Sequence, residues 1–117
     1  MDKLVIIILL LETFLAKPIA GDYNEVTGEY SHKGDNQLST MPTDIPSAAL
    51  ALDLSSNVIT NVDSLPELLH VKSINLRKNL LTEFPDLKNA SSSLKRLFLD
   101  KNLITRITED RLSALLL

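Results

Sequence analysis

Cysteine is absent from these 117 residues, and so is tryptophan. Without a thiol there is no disulfide framework, no thiolate zinc site and no cysteine nucleophile. Two histidines, His32 and His70, leave little for general-base or metal chemistry. Aromatic residues make up 4% of the chain, too few for an interface built on base stacking. Positive charge is not in excess either. Twelve Lys and Arg face 15 Asp and Glu, a net charge of −3, which excludes a uniformly basic nucleic-acid binder. There is no Gly-rich phosphate loop, no Gly-x-Ser-x-Gly elbow and no His–Glu pair at metal spacing. The composition therefore implies no catalytic residue, no cofactor and no metal site. The length suits one domain, and its expected role is binding or structure rather than catalysis.

Hydrophobic runs are short. The longest, residues 4–11, has eight apolar residues behind Lys3, and Phe14, Leu15 and Ala16 resume it after Glu12. A membrane span needs roughly 20 such residues. The stretch reads instead as a secretory signal peptide over 1–20, with cleavage after Ala20 or Gly21, both small. Pro18 and Ile19, three positions back from those two bonds, are not ideal for either. The mature chain is then expected to be secreted, with no membrane span. Residues 21–37 contain one aliphatic residue, Val26, and hold no period. They read as a disordered acidic leader. Tyr23 and Tyr30 have acidic neighbours that suit sulfation, and Lys33-Gly34-Asp35 resembles an integrin-binding tripeptide.

From residue 38 the sequence repeats. Asn57, Asn79 and Asn102 are spaced by 22 and 23 residues, each inside one frame. The copies are Leu52-Asp53-Leu54-Ser55-Ser56-Asn57-Val58-Ile59, Ile74-Asn75-Leu76-Arg77-Lys78-Asn79-Leu80-Leu81 and Leu97-Phe98-Leu99-Asp100-Lys101-Asn102-Leu103-Ile104. Ala49, Val71 and Leu94 open the copies, and Val62, Phe84 and Ile107 follow them. Apolar residues two apart predict a short strand in each copy. The Asn lies at the bend after it, where its amide can pair backbone groups left by the turning chain. Stacked copies predict a structural Asn ladder. Leu65, Leu68, Leu69, Leu87, Leu112 and Leu115 are expected to face inward from the return path.

This frame resembles the extracellular leucine-rich repeat family over residues 38–117. The resemblance implies an α/β solenoid: a parallel β-sheet on a concave face, with irregular or helical turns on the convex face. It implies an N-terminal cap-like segment at 38–48 and about three repeats at 49–117. Leu115-Leu116-Leu117 arrives with no capping segment, so the chain reads as a short or truncated member, or as a fragment of a larger receptor. An uncapped end offers a surface for a homodimer.

Residues 71–117 carry nine Lys and Arg against five Asp and Glu, while residues 21–70 carry one Lys against eight acids. The expected ligand-binding residues on the concave face are Lys72, Asn75, Arg77, Lys78, Lys95, Arg96, Phe98 and Lys101. A basic face of this kind attracts an acidic protein patch or a sulfated glycan, with Phe98 as an aromatic anchor. Asn89-Ala90-Ser91 is a glycosylation sequon on the return path. The reading is a secreted, non-catalytic protein- or glycan-binding module. The alternative is a cytosolic scaffold, because Val62-Asp63-Ser64-Leu65-Pro66-Glu67-Leu68 also resembles repeats of phosphatase regulatory subunits.

Overall fold

The computed structural model describes residues 21–34, 36–63, 65–90 and 92–116. The signal-peptide reading of 1–20 lies outside them, as do Asp35 of the Lys-Gly-Asp tripeptide and Ser91 of the sequon. Five strands follow in chain order: β1 (Asp22–Asn24), β2 (Glu29–Ser31), β3 (Ala51–Asp53), β4 (Ser73–Asn75) and β5 (Arg96–Phe98). They form one sheet in that same order. The helix α1 (Glu109–Leu116) follows. Five strands with little helix are compatible with a leucine-rich repeat type of fold.

The sheet is mixed, which corrects the expectation of a parallel one. Strands β2 to β5 pair in parallel, each step crossing one irregular return segment, but β1 runs antiparallel to β2. An antiparallel neighbour needs only a tight turn. Residues 24–28 supply it. Gly28 N–H donates to the Asn24 carbonyl at 2.8 Å. The Asn24 side chain accepts from Val26 and Thr27 N–H at 2.9 and 3.1 Å. Gly28 has φ +75°, and a Cβ there would lie 2.7 Å from Leu50 Cγ, so glycine fits on both counts.

This hairpin also corrects the reading of 21–37 as disordered. Tyr30 pairs with Leu52 in register and is 1% exposed. His32, 22 residues before Leu54, is buried as well. Gly34, 22 residues before Ser56, has φ +80°, and Ser56, Lys78 and Lys101 share the same left-handed conformation at φ 58°, 56° and 59°. The segment thus folds as a degenerate turn of the same kind, with a phenol and an imidazole where later turns carry leucines.

The Tyr30 hydroxyl donates to Asp44 Oδ1 at 2.5 Å. Burial, then the hydrogen bond to Asp44 and its negative charge, push the phenol well above its ordinary pKa of 10.0. The folded phenol keeps its proton where the unfolded one loses it. Its contribution to stability is therefore full below about pH 10 and falls as pH rises above that, by about 1.4 kcal/mol per pH unit. Urea midpoints across this range should fall more steeply for the wild type than for Tyr30→Phe. Parallel slopes would reject the assignment.

The core is a single cluster running from Tyr30 through Leu52, Leu54, Ile59, Leu68, Ile74, Leu76 and Leu81 to Leu87 and Ala90. Its corners are held by asparagine. Asn57, Asn79 and Asn102 accept through Oδ1 from Leu38, Ile59 and Leu81 N–H at 3.3, 3.0 and 3.0 Å, each in the preceding turn. Their Nδ2 groups donate back to the His32, Leu54 and Leu76 carbonyls at 2.6, 3.0 and 2.8 Å. They also donate to Leu54, Leu76 and Leu99 within their own turns at 3.1, 3.1 and 2.9 Å. The Leu54 and Leu76 carbonyls therefore each serve two amides.

The last turn is less covered. Leu97, Leu99 and Ile104 pack only partly against the core, and Ile107 is 52% exposed, whereas Val62 and Phe84 in the matching slots are buried. Two residues expected inside lie outside. Leu69 is 57% exposed, because Leu68 already fills the inward position beside it, and Leu112 on α1 is also exposed.

Candidate functional site

The sheet has a solvent side because strand residues alternate. Leu52, Ile74 and Leu97 point into the protein, so their neighbours Ala51 and Asp53, Ser73 and Asn75, and Arg96 and Phe98 form the outer face. Register sets Arg96 beside Ser73 and Phe98 beside Asn75. Just before the strands, Lys95 N–H and Arg96 N–H both donate to the Lys72 carbonyl at 2.9 Å, which makes Lys72 and Lys95 neighbours. Just after them, Lys78 N–H donates to the Asp100 carbonyl at 3.1 Å, bringing Lys78 close to Lys101. Lys72, Lys78, Lys95, Arg96 and Lys101 are all exposed, and Asn75 is half-buried between them. Phe98 is 42% exposed on this face.

One expected cation is already engaged. Arg77 Nε lies 2.9 Å from Asp100 Oδ2, both side chains being about half exposed. Pairs this exposed contribute about 0.2–1 kcal/mol. Arg77 and Lys78 border a shallow depression of about 120 Å³, lined also by Ser55, Ser56 and Asn75. The opposite edge of the sheet is acidic. Asp22, Glu25 and Glu29 line a wider depression of about 500 Å³ over β1 and β2. Lys33 Nζ lies 3.7 Å from Asp53 Oδ2 between the two regions. The face therefore runs from negative at β1 to positive at β5.

Asn89 is exposed on the return path, but its amide is used structurally. Nδ2 donates to the Leu65 carbonyl at 2.7 Å, and the Asn89 carbonyl accepts from Leu68 N–H at 2.9 Å. A glycan on Nδ2 would replace one amide hydrogen and leave the other for Leu65. Sequence reasoning missed Arg111. Its Nη1 donates to the Phe84 carbonyl at 2.6 Å and its Nη2 lies 3.8 Å from Glu83 Oε2, tying α1 to the second turn. These contacts border a polar depression of about 310 Å³ that includes Thr60, Asp63 and Thr82. Among the described residues, no group of three or more His, Cys, Asp or Glu is arranged to hold a metal ion. Among the same residues, no helix is long and apolar enough to cross a membrane.

No protein-family model matches the chain. Over 85 residues, 71% of its length, the chain is 34% identical to the Leucine-rich repeats and immunoglobulin-like domains protein 1 of Homo sapiens. The chain spans 8% of the length of that relative. The likeness agrees with the repeat frame around Asn57, Asn79 and Asn102 and with a five-stranded sheet carrying little helix.

Proposed function

We propose that the chain is a secreted, non-catalytic protein-interaction module of the leucine-rich repeat type, and that β4 and β5 present its binding face to an acidic partner surface. The observation that carries this is the group of exposed cations, Lys72, Lys78, Lys95, Arg96 and Lys101, around the exposed ring of Phe98. Cations on a short, rigid sheet raise the encounter rate with an anionic partner, and an aromatic ring at their centre gives the contact an apolar anchor. Secretion is supported by the apolar stretch at 4–16 behind Lys3.

A sulfated glycan shares the anionic chemistry, and the test separates it from a protein. Heparin should retain the secreted protein at low salt. Simultaneous reversal of Lys72, Arg77, Lys95 and Arg96 to Glu should elute it markedly earlier. Phe98→Ala should leave heparin elution unchanged and weaken binding to an acidic protein partner by about tenfold, the scale of one lost anchor side chain. Failure of heparin to retain the wild type at low salt would remove the anion-binding reading.

A further inference from the structure

We propose that the acidic surface met by β4 and β5 belongs to a second copy of this chain, in a two-fold pair that sets the β1 side of each sheet over the β5 side of the other. This rests on the binding-face reading above and names its partner. The contact lies on the sheet face, not at the end of the stack.

The face carries opposite charge on its two sides. Asp22, Glu25 and Glu29 are exposed around the depression over β1 and β2. Lys72, Lys95 and Arg96 are exposed beside β4 and β5. An acidic partner laid across all five strands would meet like charge over β1 and β2. A partner with the same division of charge, turned end for end, meets opposite charge on both sides.

Symmetry fixes the arrangement. β3 is the middle strand, with two strands on each side. A two-fold axis between two facing sheets, parallel to β3, puts β1 over β5, β2 over β4 and β3 over its own copy. An axis across the strands puts β1 over β1 and β5 over β5, like charge on like. The axis along β3 also preserves strand direction, so the rows of the sheet match level by level. Asn24, Glu29, Ala51, Ser73 and Arg96 form one row, and Asp22, Ser31, Asp53, Asn75 and Phe98 the other. Asn24 then lies over Arg96 and Glu29 over Ser73. Glu25, which follows Asn24, and Lys72 and Lys95, which precede Ser73 and Arg96, meet at the same end. In the other row Phe98 lies over Asp22, so the exposed ring meets the depression of about 500 Å³. The centre raises no barrier. Ala51 is small, and the Asp53 carboxylate is engaged by Ser55 Oγ at 2.7 Å and Lys33 Nζ at 3.7 Å, so it does not face its copy as a bare charge.

At the usual strand spacing of about 4.8 Å, five strands span about 19 Å. A face this narrow falls below a standard interface, so the pair should be weak and form at high micromolar concentration.

Sedimentation equilibrium of the purified chain, from low micromolar to millimolar concentration at low salt, tests the pair. The expected result is a monomer–dimer equilibrium whose dissociation constant rises at least about tenfold at high salt. Two double variants, Glu25→Lys with Glu29→Lys and Lys95→Glu with Arg96→Glu, should each keep the wild-type circular dichroism spectrum and stay monomeric. Mixed in equal amounts they should form a dimer again, because both charge contacts are then of opposite sign. A wild type monomeric throughout, species that grow beyond two copies, a dimer that either double variant leaves intact, or folded variants that do not associate when mixed would each overturn the pair. Heparin chromatography of the wild type, loaded below micromolar concentration, separates this failure from that of the reading beneath it. Retention of a chain that stays monomeric overturns the pair alone, and no retention overturns the anion-binding face as well.

Discussion

Asn79→Ala should lower the unfolding free energy by about 3 kcal/mol, measured by urea denaturation at neutral pH. Asn79 is buried, and its side chain makes four hydrogen bonds to backbone. It accepts from Ile59 N–H at 3.0 Å and donates to the Leu54, Leu76 and Arg77 carbonyls at 3.0, 3.1 and 3.2 Å. Truncation leaves the Ile59 donor without that acceptor in a place water does not reach, since Ile59 itself is fully buried. An unsatisfied buried group costs about 1–3 kcal/mol, and the lost side-chain volume adds to it. Asn79→Asp should do comparable harm, because the carboxylate can still accept from Ile59 but turns negative charge toward the three carbonyls of Leu54, Leu76 and Arg77. Asn102→Ala should cost about half as much, since Asn102 is half-buried and water can replace part of its amide. A loss below about 1 kcal/mol for Asn79→Ala would contradict the role given to this corner.

The second large effect lies in the leucines. Leu76→Ala should cost about 3–5 kcal/mol, as deep leucine truncations do. Leu76 is 0% exposed and sits in the central of the three best-formed turns, so neighbours on both sides hold the cavity open. Leu99 fills the same slot one turn later, but it is only partly covered. Leu99→Ala should therefore cost about half as much, roughly 1.5–2.5 kcal/mol on the same scale. Equal losses at the two positions would mean that the interior of the last turn is as closed as that of the middle one, against the half-open packing seen at Leu97, Leu99 and Ile104.

The regular part of this architecture was legible because its chemistry recurs at a fixed step. Once Asn57, Asn79 and Asn102 are aligned, strands β3, β4 and β5 fall at equivalent positions, and Ala49 and Val71 are fully buried where the frame puts apolar residues. The hairpin was illegible for a definite reason. Its inward positions are Tyr30 and His32, which do not register as members of a leucine frame, and its corner glycine stands where the other turns carry Ser56, Lys78 and Lys101. Stepping the frame back by 22 residues from Leu52 and Leu54 lands on those two residues and would have revealed the turn. Leu69 misled because composition alone cannot say which of two adjacent leucines faces inward. The basic face was readable from alternation along each strand, but the engagement of Arg77 by Asp100 was not, because it depends on the lateral register of two separate turns. Arg111 carried no signal at all, since its carbonyl partner lies 27 residues earlier on an irregular segment.

The sharing of the Leu54 and Leu76 carbonyls has one more consequence. Each is claimed from both sides, by the asparagine of its own turn and by that of the next. The inner turns consequently cannot melt one at a time. Peeling away a single coil strips an acceptor from the amide of the coil after it and a donor from the carbonyl of the coil before it, so a lesion at one corner is felt on both sides. Cooperativity in so small a domain is thus written into three amide side chains as much as into its oily interior.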